Sequence, residues 1–157
     1  MNDAEPQLVT IDAAATAVVR DVVPVTALRD FFDTSFGALA EAISAQGLTV
    51  VGPAFGLYRG DPGDTLDIEV GFPTDRAVQP SGTVTVGSLP GGRVARLLHV
   101  GGFDGLTSSW DRLHSWILAQ GLDASSQRWE VYVTQPSPEM DPADLRTELN
   151  WPVAESV

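Results

Sequence analysis

The chain repeats itself. "AISAQGL" (residues 42–48) returns as "WILAQGL" (116–122), from position 42 to position 116, a shift of 74. The same shift lays "FGLYRGDP" (55–62) on "WEVYVTQP" (129–136). It also superposes two apolar stripes, with Phe32, Phe36, Leu39 and Ile43 falling on Leu106, Trp110, Leu113 and Ile117. Both have the i, i+4, i+7, i+11 spacing of an amphipathic helix. Past the loop "SPEMDPAD" the shift grows to 79, and "IEVGFP" (68–73) matches "TELNWP" (147–152), with Glu69 on Glu148 and Phe72 on Trp151. A duplicated sequence folds as two similar halves, so one half constrains the other.

Each half reads strand, helix, strand, strand. The first has strands over 15–23, 53–59 and 65–72 and a helix over 27–46 that Gly47 ends. The second has strands over 93–100, 128–134 and 146–151 and a helix over 105–120 that Gly121 ends. Short strands over 8–11 and 83–88 open the two halves. The expected architecture is one α+β domain over 1–157, with halves 8–73 and 83–153 and "TDRAVQPSG" (74–82) as linker. Pseudo-twofold symmetry relates the halves, with helices on one face of the sheet and a ligand cleft on the other.

Composition narrows the function. The chain is 43% apolar, lacks an apolar run long enough to span a bilayer, and begins with the acidic "MNDAEPQ", which has no basic n-region. With no cysteine it can form neither a disulfide nor a thiolate metal site, and a cytoplasmic location is expected. Nine Lys and Arg against 21 Asp and Glu give a net charge of −12. That charge predicts no direct nucleic-acid partner, because phosphate contacts need basic clusters. A negative field favours cations instead.

"RWEVY" alternates, with Trp129 and Val131 on one side and Arg128, Glu130 and Tyr132 on the other. If the helix stripes cover one side of the sheet, Phe55, Leu57, Ile68, Val70, Phe72, Trp129, Val131, Leu149 and Trp151 belong beneath them. The opposite side then receives Gly56, Tyr58, Glu69, Glu130, Tyr132, Glu148 and Asn150. That set is aromatic and acidic, and suits a cleft for a cation. Against it stands a carboxylate simply solvated, or paired with Arg128 or Arg146. Trp110 and Trp116 are six residues apart on one helix, so Trp116 is turned towards the cleft or its rim as a stacking residue, although core filling explains a helix tryptophan equally well.

Other signals point to no cofactor and no metal. His99 and His114 have no partner at ligand spacing. "HVGGFDG" lacks the dinucleotide fingerprint, "GDPGD" (60–64) reads as a Pro-Gly turn, and no Ser-His-Asp arrangement is recognisable.

With "RVARLLHVGGFDGLTSSWDRLHSWILAQGL", "RWEVYVTQPSP" and "PADLRTELNWPV", the chain from about residue 8 to 153 resembles the GyrI-like, or AraC-type effector-binding, family. The family pattern is hxGxYxxLxxxWxxLxxW, xEhYhxxP and LxTEhxhPh. The resemblance implies a cleft for lipophilic, often cationic or aromatic, small molecules. Within it Glu130 matches the central glutamate, Glu148 the second glutamate, and Tyr132 the aromatic position after the first. Asn150 and "GGF" depart from the family's commoner residues, which leaves the ligand open. Glu69 keeps its glutamate, whereas Gly56 replaces the counterpart of Glu130, giving one half the charge and leaving room opposite it. Without a helix-turn-helix segment, direct transcriptional regulation is not expected. Some standalone members are hydrolases that open the cyclopropane of DNA-alkylating natural products, a role that would make Glu130 and Tyr132 catalytic. A third role the family offers is topoisomerase inhibition. The sequence leaves the oligomeric state open.

Overall fold

The structure is a computed structural model that describes residues 5–60, 63–102, 105–134 and 141–155. It divides into two compact units, Asp12–Gly91 and Gly92–Val157 with the N-terminal residues through Ile11. The element order is β1 (Gln7–Ile11), β2 (Ala14–Pro24), α1 (Leu28–Ala45), β3 (Phe55–Arg59), β4 (Thr65–Pro73), β5 (Thr85–Leu89), β6 (Gly92–Val100), α2 (Leu106–Ala119), β7 (Leu122–Ala124), β8 (Gln127–Tyr132) and β9 (Arg146–Glu155).

In the first unit the antiparallel order is β3-β4-β2-β5. Helix α1 lies on one face, where Leu39, Ala42 and Ile43 pack with Ala17, Val19, Ile68 and Val70. In the second unit the order is β1-β6-β9-β8, with β7 pairing the end of β9. Helix α2 packs Trp110, Leu113 and Ile117 against Ala95, Leu97, Leu149 and Trp151. Thus the α+β class, the two helices and the duplicated order of elements agree with expectation.

Both helices end alike. Gly47 and Gly121 take φ of 64° and 75°, a left-handed conformation that a Cβ disfavours, and Leu48 N–H closes the first helix on Ile43 O at 3.0 Å. Gly105, before α2, is required differently: a Cβ there would lie 3.0 Å from His99 Cε1.

Three expectations are corrected. The opening strands are exchanged, since β1 pairs β6 of the second half and β5 pairs β2 of the first. Strand β9 runs past Pro152 to Glu155, because Pro152 faces Val94 in register and the paired β7 continues the ladder. The face assignment is the largest change. Directly paired residues share a face, and Tyr58 pairs Ile68 while Glu130 pairs Leu149. Ile68 and Leu149 belong to the helix-side cores. Tyr58, Glu130 and Tyr132 are therefore on the helix-bearing faces, not opposite them. Phe55 and Leu57 take the far face with Glu69, and Trp129 and Val131 take it with Asn150 and Glu148. The cause is physical: Phe55, Leu57 and Trp129 are buried on the far face as well. Alternation separates two faces, but with both buried it does not say which one carries the helix.

Candidate functional site

The α2 face of the second unit presents Arg128, Glu130 and Tyr132 at alternate positions of one strand. Glu130 is 5% exposed, and the Tyr132 hydroxyl donates to its Oε1 at 2.8 Å. Tyr132 pairs Thr147, and Thr147 pairs His99, so the polar row crosses three strands. His99 is anchored at both nitrogens, Nδ1 2.7 Å from Ser109 Oγ and Nε2 2.8 Å from Gly102 O. Because Gly102 O only accepts, Nε2 donates to it. This buried histidine ties the start of α2 to β6.

Arg128 stacks rather than standing in water. Its guanidinium carbon is 5.0 Å from the Trp110 ring centroid and 4.7 Å from that of Trp151. The two rings meet edge to face at 5.5 Å and 83°, and His114 stacks on Trp151 at 5.1 Å. Trp151 Nε1 donates to Ser125 O at 2.8 Å, which fixes the ring. Sequence reasoning placed Arg128 only as an ion partner and missed this stack. Arg146, the other suggested partner, gives Nη1 to the carbonyls of Ala143 and Leu145. Trp116 is partly buried and packs on the α2 core.

The remaining acidic candidates are on the far faces and carry arginine partners. Glu148 Oε1 lies 3.4 Å from Arg96 Nε, which donates to Asn150 Oδ1 at 2.8 Å; Asn150 in turn donates to Glu148 at 3.1 Å. Glu69, 5% exposed, pairs Arg59 at 3.1 Å in the first unit. Beside it Arg20 and Asp67 form a two-pronged bond at 3.1 and 2.9 Å, and the Arg20 hydrogen bond holds the Asp67 carboxyl below its ordinary range. Helix-side and far-side carboxylates are thus two sets, not one.

The α1 face of the first unit carries Tyr58 with Phe31, Phe32, Phe36 and Phe72, all partly buried. Phe32 stacks on Phe36 at 5.9 Å, and Phe36 meets Phe72 edge to face at 5.5 Å. Phe32, Phe36 and Phe72 pack on the α1 core, as the sequence stripes predict, and remain partly accessible. A separate recess of about 300 Å³ between α1 and residues 81–83 contains none of the expected site residues.

A duplicated α+β scaffold with a buried carboxylate held by a phenol on its helix side is the architecture of a small-molecule-binding domain. Residues 4–154 match the GyrI-like small molecule binding domain, and the chain belongs to that family. The fold matches the EcmrR C-terminal domain with TM-score 0.86 at 20% identity, covering 99% of this chain and 100% of that one. The chain spans 58% of the EcmrR chain in its DNA complex. A hydrolase from Listeria innocua matches at TM-score 0.70 and 16% identity, covering 96% of this chain and 92% of that one. SAV2435, solved bound to tetraphenylphosphonium, matches at 0.62 and 13%, covering 96% and 94%. No curated protein matches the sequence. No described helix is long and apolar enough to cross a membrane.

Proposed function

We propose that the chain binds lipophilic aromatic cations, with Glu130 as the counter-charge and Tyr132 orienting it. The observation that carries this reading is the 2.8 Å Tyr132–Glu130 bond on a carboxylate 5% exposed. Burial leaves the carboxylate little water to shed, so a cation that reaches it meets a small desolvation cost on the protein side. Tetraphenylphosphonium on SAV2435 supports the ligand class. Glu69, Glu148 and Asn150 serve this reading as far-side structure, since each carries its charge or amide to a neighbouring side chain. Thermal-shift screening against lipophilic cations and matched neutral aromatics tests it: cations should raise the midpoint selectively. Equal shifts for charged and neutral members of each pair would contradict it.

The same carboxylate–phenol pair favours a second reading, hydrolysis of an electrophilic aromatic natural product. Glu130 would take a proton from an attacking water, the strained ring carbon would receive the hydroxide, and Tyr132 would protonate the oxygen that takes up the bond electrons. The Listeria innocua hydrolase supports considering it. Mass spectrometry separates the readings, since turnover adds one water to the compound and binding adds none.

A further inference from the structure

We propose that the Phe36–Phe72 pair of the first unit is a subsite for a planar, delocalised organic cation of the guanidinium or amidinium type. The proposal deepens the small-molecule binding proposed above and rests on that reading, but it uses different residues. Its template is inside the chain. In the second unit the Arg128 guanidinium lies over Trp110 and Trp151, at 5.0 and 4.7 Å from the ring centroids. The repeat lays Phe36 on Trp110, Phe72 on Trp151 and Ala54 on Arg128. The aromatic geometry is preserved: both pairs meet edge to face with centroids 5.5 Å apart, at 68° in the first unit and 83° in the second.

What differs is the cation. A methyl side chain at Ala54 cannot reach across two rings as an arginine does. Trp110 and Trp151 are each 8% exposed, whereas Phe36 and Phe72 are partly buried. Phe32, on the same helix, stacks on Phe36 with ring planes 12° apart. Ring faces attract a cation through their quadrupole, and a flat one can lie close to both rings at once. The chain's charge of −12 draws cations towards it from solution. A bulky tetrahedral cation buries its charge behind its own rings, so it gains less here than a flat amidinium.

The experiment is titration calorimetry with the 2-naphthamidinium ion, using neutral 2-naphthamide as the matched control. The amidinium should bind the wild-type chain more tightly than the amide. Ala54→Arg should place a guanidinium over the phenylalanines as Arg128 is placed over the tryptophans, lowering amidinium affinity about tenfold or more with thermal stability level or raised. Phe36→Leu keeps apolar bulk without a ring face, and should weaken amidinium binding several-fold while leaving the amide nearly unchanged. Wild-type amidinium affinity in either folded variant, or equal binding of amidinium and amide, would overturn the subsite. Tetraphenylphosphonium titrations of Glu130→Gln report on the other site: an unchanged affinity there alongside the Ala54→Arg loss sinks only the Glu130 reading, and the converse sinks only the subsite.

Discussion

The two halves carry the same aromatic geometry and different charges. Phe36–Phe72 and Trp110–Trp151 share a 5.5 Å edge-to-face contact. Yet Ala54 and Gly56 stand in one half where Arg128 and Glu130 stand in the other. The far faces differ the other way. Glu69 and Glu148 are the same residue type in both halves, each beside an arginine of the neighbouring strand, Arg59 on β3 for Glu69 and Arg96 on β6 for Glu148. The difference teaches where to look for function. A position that both halves retain, each time beside an arginine, serves the sheet; a carboxylate found in one half only, on the helix side, is the one proposed to meet a ligand.

Four measurements break or sharpen that comparison. The largest effect expected is on packing. Trp151→Ala removes a buried ring, the Ser125 hydrogen bond and the seat of Arg128, and should cost about 4 kcal/mol in urea unfolding. Phe72→Ala, at the matched position but partly exposed, should cost about half as much. Equal losses would mean that the arginine stack adds nothing. Next come the far-side pairs. Arg59→Met leaves Glu69 buried and unpaired, and should destabilise by about 3 kcal/mol. Arg96→Met leaves the more exposed Glu148 still hydrogen-bonded by Asn150, and should cost about 1 kcal/mol. If the order reversed, the far faces would not be equivalent supports.

The sequence made the duplication plain because helix stripes and strand motifs recur at a fixed shift, and the helices fall within a residue or two of their expected ends. Glu130 and Tyr132 were legible as a pair because they alternate with Trp129 and Val131. Their face was not, since Phe55, Leu57 and Trp129 are buried away from the helices. Nor was the strand exchange: "LVTI" alternates in the same way whichever partner it meets, and long-range pairing leaves no local mark. The Arg128 stack depends on Trp110 and Trp151 arriving from a helix and a later strand, which only the tertiary fold brings together. One signal could have found it: position 54 is alanine and position 128 arginine within an otherwise matching repeat.

The third effect is smaller and depends on pH. Hydrogen bonding to Arg20 lowers the Asp67 pKa in the folded chain. Its stabilisation is therefore present above the unfolded carboxyl pKa, about 4, and is lost as pH falls through the lower folded value. Arg20→Gln should be less stable than wild type at pH 7, by a few tenths of a kcal/mol for so exposed a pair. The gap should close as the pH falls below about 4. A gap independent of pH would assign the effect to packing of the arginine stem.

The fourth measurement is the direct test of the central claim: calorimetric titration of wild type and Glu130→Gln with tetraphenylphosphonium. The amide keeps the shape and can still accept from Tyr132 while the charge is gone. Affinity should fall by roughly tenfold to a hundredfold, as expected for about 1.5–3 kcal/mol from a charged partner. The thermal midpoint without ligand is read alongside, so that a loss of affinity in a folded variant is told apart from unfolding. Equal affinity of the two proteins for the cation would contradict the account and leave Glu130 a structural residue of its strand.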